Sequence, residues 1–139
     1  MYIHETKIKV RYAETDQMGI VHHSRYYPWF EEGRTEFILQ TGITYGELER
    51  QGILLPVIET GCIYKAGAKY EDNLTVRTWI QELKGARITF FYEVIRDADH
   101  KLLAQGKTVH AFVNKNFKPI NVKKVNGELW DKLLALCGG

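Results

Sequence analysis

Apolar and polar residues alternate over residues 7–12, which predicts a strand whose buried face ends at Tyr12. From residue 55 onward the chain is rich in β-branched and aromatic residues, and turn signals divide it into four further strands. These strands lie in LPVIETGCIYKA, LTVRTWIQEL, RITFFYEVIRD and KLLAQGKTVHAFVN. Because consecutive strands joined by tight turns pair with each other, we expect an antiparallel meander.

Between the first strand and the later ones, the spacing of apolar and small residues becomes that of a helix. They recur four, three and four residues apart, at Tyr26, Phe30, Gly33 and Phe37. Pro28 must lie in the first turn of this helix, so the helix begins between Ser24 and Tyr27 and ends near Gly42. A short helix is predicted over residues 44–50, and a closing helix in NGELWDKLLAL.

This order of elements predicts one α+β domain, residues 1–139, with a long helix on a five-stranded antiparallel sheet. One long helix covers only one face of such a sheet. Trp79, Phe91 and Ile95 fall on alternate faces of their strands, so we expect part of the second face to meet another subunit.

The composition argues against several classes of function. A net charge of +2, from 19 basic and 17 acidic residues, gives no electrostatic footprint for nucleic acid. No apolar run approaches the roughly 20 residues that a membrane span needs, so we expect no span and a cytoplasmic location. Cys62 and Cys137 are too few and too far apart for a disulfide framework or a zinc site.

Residues 11–27, RYAETDQMGIVHHSRYY, concentrate the polar chemistry of the chain. The only serine, Ser24, lacks the GxSxG setting of a hydrolase nucleophile and fits a helix N-cap. The adjacent His22 and His23 point in different directions and make a poor metal pair. No glycine-rich phosphate loop is present in the sequence, so we expect neither a metal nor a cofactor.

Asp16 is the remaining candidate for catalysis, because it precedes a helix start with unpaired N–H groups. Such N–H groups can polarise a carbonyl oxygen, and a carboxylate beside them can act as nucleophile or as the base that activates water. The other interpretation is that Asp16 only caps a turn around Gly19, and spacing alone favours it.

Eight residues between positions 12 and 34 form a spaced pattern: Tyr12, Asp16, Gly19, His23, Tyr26, Phe30, Glu31 and Arg34. The pattern resembles the signature of hotdog-fold acyl-CoA thioesterases of the 4-hydroxybenzoyl-CoA thioesterase type, including their Tol-Pal-associated branch. The segments YKAGAKYEDNLTV and LAQGKTVHAFVN are also similar to that family, so the resemblance covers most of the chain. Two departures are Gly67, where the family usually has proline, and His22, where an apolar or aromatic residue is usual.

The resemblance implies a hotdog fold, a homodimer or homotetramer, and an active site between two protomers. It implies that Asp16 is the catalytic carboxylate, that N–H groups near His23 hold the thioester carbonyl, and that Tyr12 and His23 belong to the site. The expected activity is hydrolysis of an acyl-CoA, with an acyl carrier protein as a possible alternative carrier. The alternative function is a non-catalytic module that binds acyl-CoA or acyl carrier protein.

Other polar residues are secondary candidates for catalysis or binding. Glu31 and Glu32 are rival carboxylates on the long helix, although a helix surface or a Glu31–Arg34 ion pair is the more ordinary role. His110 is expected to be a hydrogen-bonded core or interface histidine. Basic side chains that suit the phosphates of CoA are Lys65, Lys69, Arg77 and Arg87, each of which is more often a surface residue.

Overall fold

The structure is a computed structural model, and it describes residues 1–138. Its strands are β1 (His4–Lys9), β2 (Val57–Tyr64), β3 (Asn73–Lys84), β4 (Arg87–Arg96) and β5 (Lys101–Ala111). Its helices are α1 (Tyr26–Leu39), α2 (Tyr45–Arg50), α3 (Val122–Val125) and α4 (Gly127–Cys137). Two 3₁₀ turns, Tyr12–Glu14 and His23–Arg25, lie between β1 and α1. In this part of the chain, every helix is too short or too polar to cross a bilayer.

The predicted elements are confirmed with small changes at their ends. Pro28 is the third residue of α1, where its missing N–H removes no helical hydrogen bond. Gly42 follows this helix with φ at 83°, a backbone conformation that favours glycine. Thr44 caps α2 by accepting a 3.0 Å hydrogen bond from the Glu47 N–H. The helix α3 was not predicted.

The strands form one antiparallel sheet in the order β1–β3–β4–β5–β2, so the predicted meander is only partly right. Strands β3, β4 and β5 pair in sequence order, but β2 lies beside β5 at the far edge. Residues 65–72 therefore form a crossover from β2, at one edge of the sheet, to β3, the strand next to β1 at the other edge, and not a tight turn. The turn signals at Gly67 and Asp72 belong to this crossover, since turn residues mark a change of direction but not the next neighbour.

Helix α1 packs on the inner face of the sheet through its predicted apolar stripe. Phe30 is fully buried and stacks on Tyr92 of β4, with ring centroids 4.5 Å apart. A Cβ added at Gly106 of β5 would lie 2.3 Å from the Phe30 ring, so only glycine permits this approach. At Gly33 of α1, a Cβ would lie 2.6 Å from the Thr78 hydroxyl of β3. The small residues therefore set how closely helix and sheet approach.

The two edges of the sheet differ in chemistry. On β1 the exposed side chains are charged or polar, with Glu5, Lys7 and Lys9 pointing to solvent. On β2 the exposed side chains include four large apolar ones, namely Val57, Ile58, Ile63 and Tyr64. Charged edges resist pairing with other strands, whereas apolar edges favour it.

The outer face of the sheet is apolar near β2. Trp79 and Phe91 are directly paired across β3 and β4, and their ring centroids are 6.1 Å apart. Together with Ile63 they line an open cavity of 340 Å³. The predicted apolar second face is therefore present, and all three side chains remain partly or largely exposed in the single chain.

Candidate active site

Residues 14–22 form a tight hairpin that leads into the start of α1, and we call it the site hairpin. The His22 N–H donates to the Glu14 carbonyl at 3.0 Å, and the Asp16 N–H donates to the Ile20 carbonyl at 2.8 Å. Thr15 and Val21 form an isolated antiparallel bridge between these two hydrogen bonds. Asp16 therefore lies near the tip of the hairpin, while His23 directly follows its base.

The buried side chain of Glu14 links the site hairpin to helix α1. Only 3% of its surface is exposed, and its Oε2 accepts a 2.8 Å hydrogen bond from the Trp29 indole N–H. Its Oε1 accepts from the Arg11 backbone N–H at 2.8 Å, and the Arg11 guanidinium lies 3.6 Å away. This role is not predictable from the sequence, because nothing in the pattern around Glu14 indicates that the indole of Trp29, 15 residues later, will reach it.

We expect Glu14→Leu to lower the free energy of unfolding by about 2–4 kcal/mol, because it leaves two donors without their acceptor. The Trp29 indole N–H would be buried and unpaired. Chemical denaturation at fixed protein concentration measures the change, and Glu32→Leu, at an exposed position, is the control. Trp29→Phe added to Glu14→Leu should recover part of the loss. If Glu14→Leu is as stable as the parent chain, the hydrogen bonds of Glu14 make no net contribution to the free energy of unfolding.

The carboxylate of Asp16 caps the turn of the site hairpin with one oxygen. Its Oδ1 accepts from the Met18 N–H at 2.8 Å and from the Ile20 N–H at 3.3 Å. The predicted turn-capping role is therefore confirmed, and Gly19 adopts φ of 78° within that turn. Oδ2 makes no hydrogen bond to any residue from 1 to 138. The side chain is half-buried, and the two hydrogen bonds to Oδ1 orient the carboxylate and thereby its second oxygen.

His23 presents a free backbone N–H at the start of the helical segment. Among residues 1–138 this N–H has no hydrogen-bond acceptor, whereas the His22 N–H before it and the Arg25 N–H after it are both paired. The His23 carbonyl accepts from the Tyr26 N–H and, at 3.1 Å, from the Tyr64 hydroxyl. An unpaired N–H at the positive end of a helix is suited to a carbonyl oxygen or an anion.

The predicted N-cap role of Ser24 is wrong, because His22 is the capping residue. The His22 Nδ1 accepts from the Ser24 N–H at 3.3 Å and lies 2.8 Å from the Ser24 hydroxyl. The imidazole thus replaces the serine oxygen as the acceptor at this turn. The His22 ring also lies 4.2 Å from the His23 ring, centroid to centroid, so the unusual second histidine has a structural role.

Tyr12 does not end the buried face of β1, and that part of the prediction is wrong. The strand stops at Lys9, and Tyr12 begins a 3₁₀ turn with 75% of its side chain exposed. Its ring packs edge-on against Tyr70, with centroids 5.6 Å apart. The inward alternation ends at Val10 because the chain turns there to enter the site hairpin.

Of the three predicted site residues, His23 alone lines the cavity at the start of α1. An open cavity of 310 Å³ at the start of α1 is lined by His23, Tyr64 and Lys65, together with Ile20, Val21, Tyr26, Ala66 and Gly67. Asp16 and Tyr12 do not line this cavity. The backbone places Asp16 near the tip of the site hairpin and His23 directly after its base, and the cavity beside His23 is open toward solvent.

The crossover closes one side of this cavity and is tied to the site hairpin. The Val21 N–H donates to the Ala68 carbonyl at 2.9 Å, and Ile20 forms a bridge with Lys69. At Gly67, an added Cβ would lie 2.8 Å from Cγ2 of Ile20. The isoleucine therefore fills the space that a side chain at position 67 would need, which gives a steric reason for glycine there.

The rival carboxylates on α1 are exposed, and the predicted ion pair of Glu31 with Arg34 is absent from residues 1–138. Arg34 instead donates at 3.2 Å to the hydroxyls of Tyr45 and Tyr92. Burial raises the pKa of Tyr45 to about 12, so this acceptor remains a neutral phenol. The guanidinium turns inward because two buried hydroxyls lie within its reach.

His110 is the hydrogen-bonded core histidine that was expected. It is fully buried, its Nδ1 donates to the Leu55 carbonyl at 3.0 Å, and its Nε2 accepts from the Thr108 hydroxyl at 2.8 Å. Burial lowers its pKa to about 4, so the imidazole is neutral near pH 7. Burial likewise raises the pKa of the Cys62 thiol. No group of three or more metal-ligating side chains converges anywhere in residues 1–138.

The basic residues considered for CoA phosphates are in different settings. Lys65 lines the cavity beside His23 and is exposed. Arg77 is held on the outer face by a 2.8 Å ion pair with Glu93. Lys69 and Arg87 are exposed, and neither of them lines this cavity. Of the four, Lys65 is the one placed beside the candidate site.

Comparison with known proteins identifies the family. The model of the thioesterase-like superfamily matches residues 10–125. The putative acyl-CoA thioesterase YneP of Bacillus subtilis is 38% identical over 125 residues, which cover 89% of this chain and 90% of that protein. The acyl-CoA thioesterase YbgC of Haemophilus influenzae is 37% identical over 91 residues, covering 65% of this chain and 67% of that one.

A solved structure gives the same answer for the fold. The DHNA-CoA thioesterase from Staphylococcus aureus superposes with a TM-score of 0.90 at 32% identity, covering 99% of this chain and 95% of that one. The five-stranded antiparallel sheet with its long helix is thus the hotdog fold that the sequence resemblance implied. The chain belongs to the thioesterase-like superfamily.

Proposed function

We propose that this protein is an acyl-CoA thioesterase that hydrolyses its substrate to the free acid and CoA, with Asp16 as the catalytic carboxylate. One observation carries the proposal: a free carboxylate oxygen of Asp16 and a free N–H of His23 belong to one short, hydrogen-bonded segment before α1. Thioester hydrolysis needs an anionic group to attack or to activate water, and a donor for the carbonyl oxygen. Relatives named as acyl-CoA thioesterases support the same assignment.

In the reaction, the carbonyl oxygen of the thioester accepts a hydrogen bond from the His23 N–H. In one route Oδ2 of Asp16 attacks the carbonyl carbon, the bond to sulfur breaks, and CoA leaves as a thiolate. Water then hydrolyses the acyl–aspartate anhydride. In the other route the carboxylate removes a proton from water and the resulting hydroxide attacks the carbonyl carbon directly. The bond to sulfur then breaks, and CoA again leaves as a thiolate. The thiolate is a good leaving group, so neither route needs Ser24 as a nucleophile.

Thiol release from a panel of aryl, short-chain and long-chain acyl-CoAs tests the proposal. Release above the rate without protein, for at least one panel member, is the expected result. The alternative function, a non-catalytic module for acyl-CoA or acyl carrier protein, would bind panel members without releasing thiol. The free oxygen of Asp16 favours hydrolysis, because binding alone does not need an unpartnered carboxylate. Thioesters of acyl carrier protein are included as well, because the site does not determine whether the acyl group is carried by CoA or by acyl carrier protein.

We also propose that the protein is a homodimer or homotetramer whose site is completed by a second copy. The apolar edge of β2 and the apolar outer face near Trp79 support it, as does the charged edge of β1, which disfavours pairing there. Placement in the 4-hydroxybenzoyl-CoA thioesterase or Tol-Pal branch and a cytoplasmic location remain predictions from the sequence.

Light scattering at micromolar concentration should give two or four times the chain mass of 16.1 kDa. Ile58→Asp places a charge on the β2 edge and should shift the protein toward monomer, with a matching loss of thiol release. Lys9→Glu on the β1 edge is the control and should leave the mass unchanged. A stable monomer with full activity would contradict both the assembly and the shared site.

A further inference from the structure

We propose that Tyr64 is a positioning residue of the active site, whose hydroxyl fixes the peptide that follows the carbonyl-binding N–H of His23. This inference rests on the proposed function, and it assigns a role to a residue that no sequence motif singled out. The Tyr64 hydroxyl donates to the His23 carbonyl at 3.1 Å across 41 residues of sequence. This hydrogen bond fastens the start of α1 to the edge strand β2.

The hydroxyl of Tyr64 is held in place by ring contacts on two sides. Its ring meets Tyr26 edge-on with centroids 5.1 Å apart, and Tyr26 is itself buried in the core. On the other side the ring meets His23 edge-on at 6.1 Å. Because the phenol ring is held between two other rings, it loses little further conformational freedom when its hydroxyl donates a hydrogen bond. The hydrogen bond is therefore preorganised by packing.

The position of the acceptor explains why this hydrogen bond bears on catalysis. The carbonyl and the free N–H belong to the same residue, His23, so fixing the carbonyl limits rotation of the backbone that aims the N–H. The Tyr26 N–H also donates to this carbonyl, but it moves together with the helix. Tyr64 is the donor that ties the turn to the sheet. Misplacement of a carbonyl-binding group by about 1 Å can cost on the order of a hundredfold in rate.

Tyr64 acts as a hydrogen-bond donor and not as an acid in the reaction. Burial raises the pKa of its phenol, and the neighbouring Cys62 and Tyr27 raise it further. The hydroxyl therefore keeps its proton throughout the pH range in which the protein would be assayed. A purely positioning role predicts that removing the hydroxyl lowers the rate without changing the shape of the pH profile.

The test is Tyr64→Phe, which keeps the ring contacts and removes only the hydroxyl. We expect kcat to fall about three- to tenfold, the equivalent of one hydrogen bond, with KM within about twofold of the parent value. The affinity for an S-alkyl-CoA, a thioether analogue that lacks the carbonyl oxygen, should not change. Thr60→Val is the matched control, because it removes another hydroxyl of β2 that donates to a backbone carbonyl, that of Lys107 at 3.1 Å.

A second measurement judges the inference even if no thioester is hydrolysed. In ¹⁵N-labelled protein, Tyr64→Phe should shift the amide resonance of Ser24, whose peptide group contains the His23 carbonyl, and Thr60→Val should not. An unshifted Ser24 amide, or unchanged kcat in a parent enzyme that is active, would overturn the role of Tyr64. If the amide shifts in Tyr64→Phe while the parent protein releases no thiol from any thioester, the proposed function is refuted. That result would still show that the Tyr64 hydroxyl holds the His23 carbonyl.

Discussion

Asp16→Asn should reduce thiol release about 100- to 10,000-fold, the range that a positioned carboxylate contributes as base or nucleophile. The substitution suits this site because asparagine retains Oδ1. The hydrogen bonds from the Met18 and Ile20 N–H groups can therefore persist, and the turn of the site hairpin keeps its shape. The charge and the free Oδ2 are lost. The change in turnover thus reports on chemistry and not on folding.

Two controls separate this result from other causes. Glu31→Gln removes the rival carboxylate on the exposed face of α1 and should retain most activity. Circular dichroism and the oligomer mass should be the same for Asp16→Asn and the parent protein. A folded Asp16→Asn variant with parental turnover would show that Asp16 is not the catalytic carboxylate. The glutamates of α1, Glu31 and Glu32, would then be the candidates.

The same residue shows how the two interpretations of Asp16 combine. Spacing favoured a turn-capping role, and Oδ1 performs it. A carboxylate has two oxygens, so capping with one leaves the other available and fixes its direction. From the sequence the two roles were alternatives, because a sequence does not assign hydrogen bonds to individual oxygens. In the folded chain the capping role is what orients the proposed catalytic oxygen.

Local patterns predicted the elements well, because helix and strand periods depend on nearby residues. Pro28 and Gly42 marked both ends of α1 to within a few residues. The position of β2 was not predictable in this way, since it pairs with β5 through residues as far apart in sequence as Val57 and His110. The crossover that results brings Gly67 against Ile20 and closes one side of the cavity.

The supporting contacts of the site were missed for a related reason. Glu14 reaches Trp29 and Tyr64 reaches His23 through contacts that no spacing rule describes. The family motif marks the residues proposed to meet substrate. The residues that hold them are recognisable only when the chain is folded, because their partners come from other elements.

The two variants His23→Ala and His23→Pro should differ in activity, because only proline removes the backbone N–H. His23→Ala keeps that N–H and loses an exposed ring, so turnover should fall by no more than about tenfold, or 1.4 kcal/mol of barrier. His23→Pro should lose about 100- to 1,000-fold, the usual effect of deleting one oxyanion donor.

Proline is compatible with the backbone at this position. His23 is the first residue of a 3₁₀ turn, whose usual φ range includes that of proline. The preceding His22 has φ −62° and ψ 137°, the extended conformation that a residue before proline prefers. The N–H that proline removes makes no hydrogen bond within residues 1–138, so no contact of the fold is lost with it.

Turnover number and pH profile on the best substrate of the panel compare both variants with Asp16→Asn. If His23→Ala were as inactive as Asp16→Asn while folded and oligomeric, the imidazole would have to act as an acid or base. If a folded His23→Pro instead kept the activity of His23→Ala, the carbonyl oxygen would have to be bound elsewhere. The expected order of turnover, His23→Ala above both His23→Pro and Asp16→Asn, follows only when the backbone N–H holds the carbonyl and the carboxylate performs the chemistry.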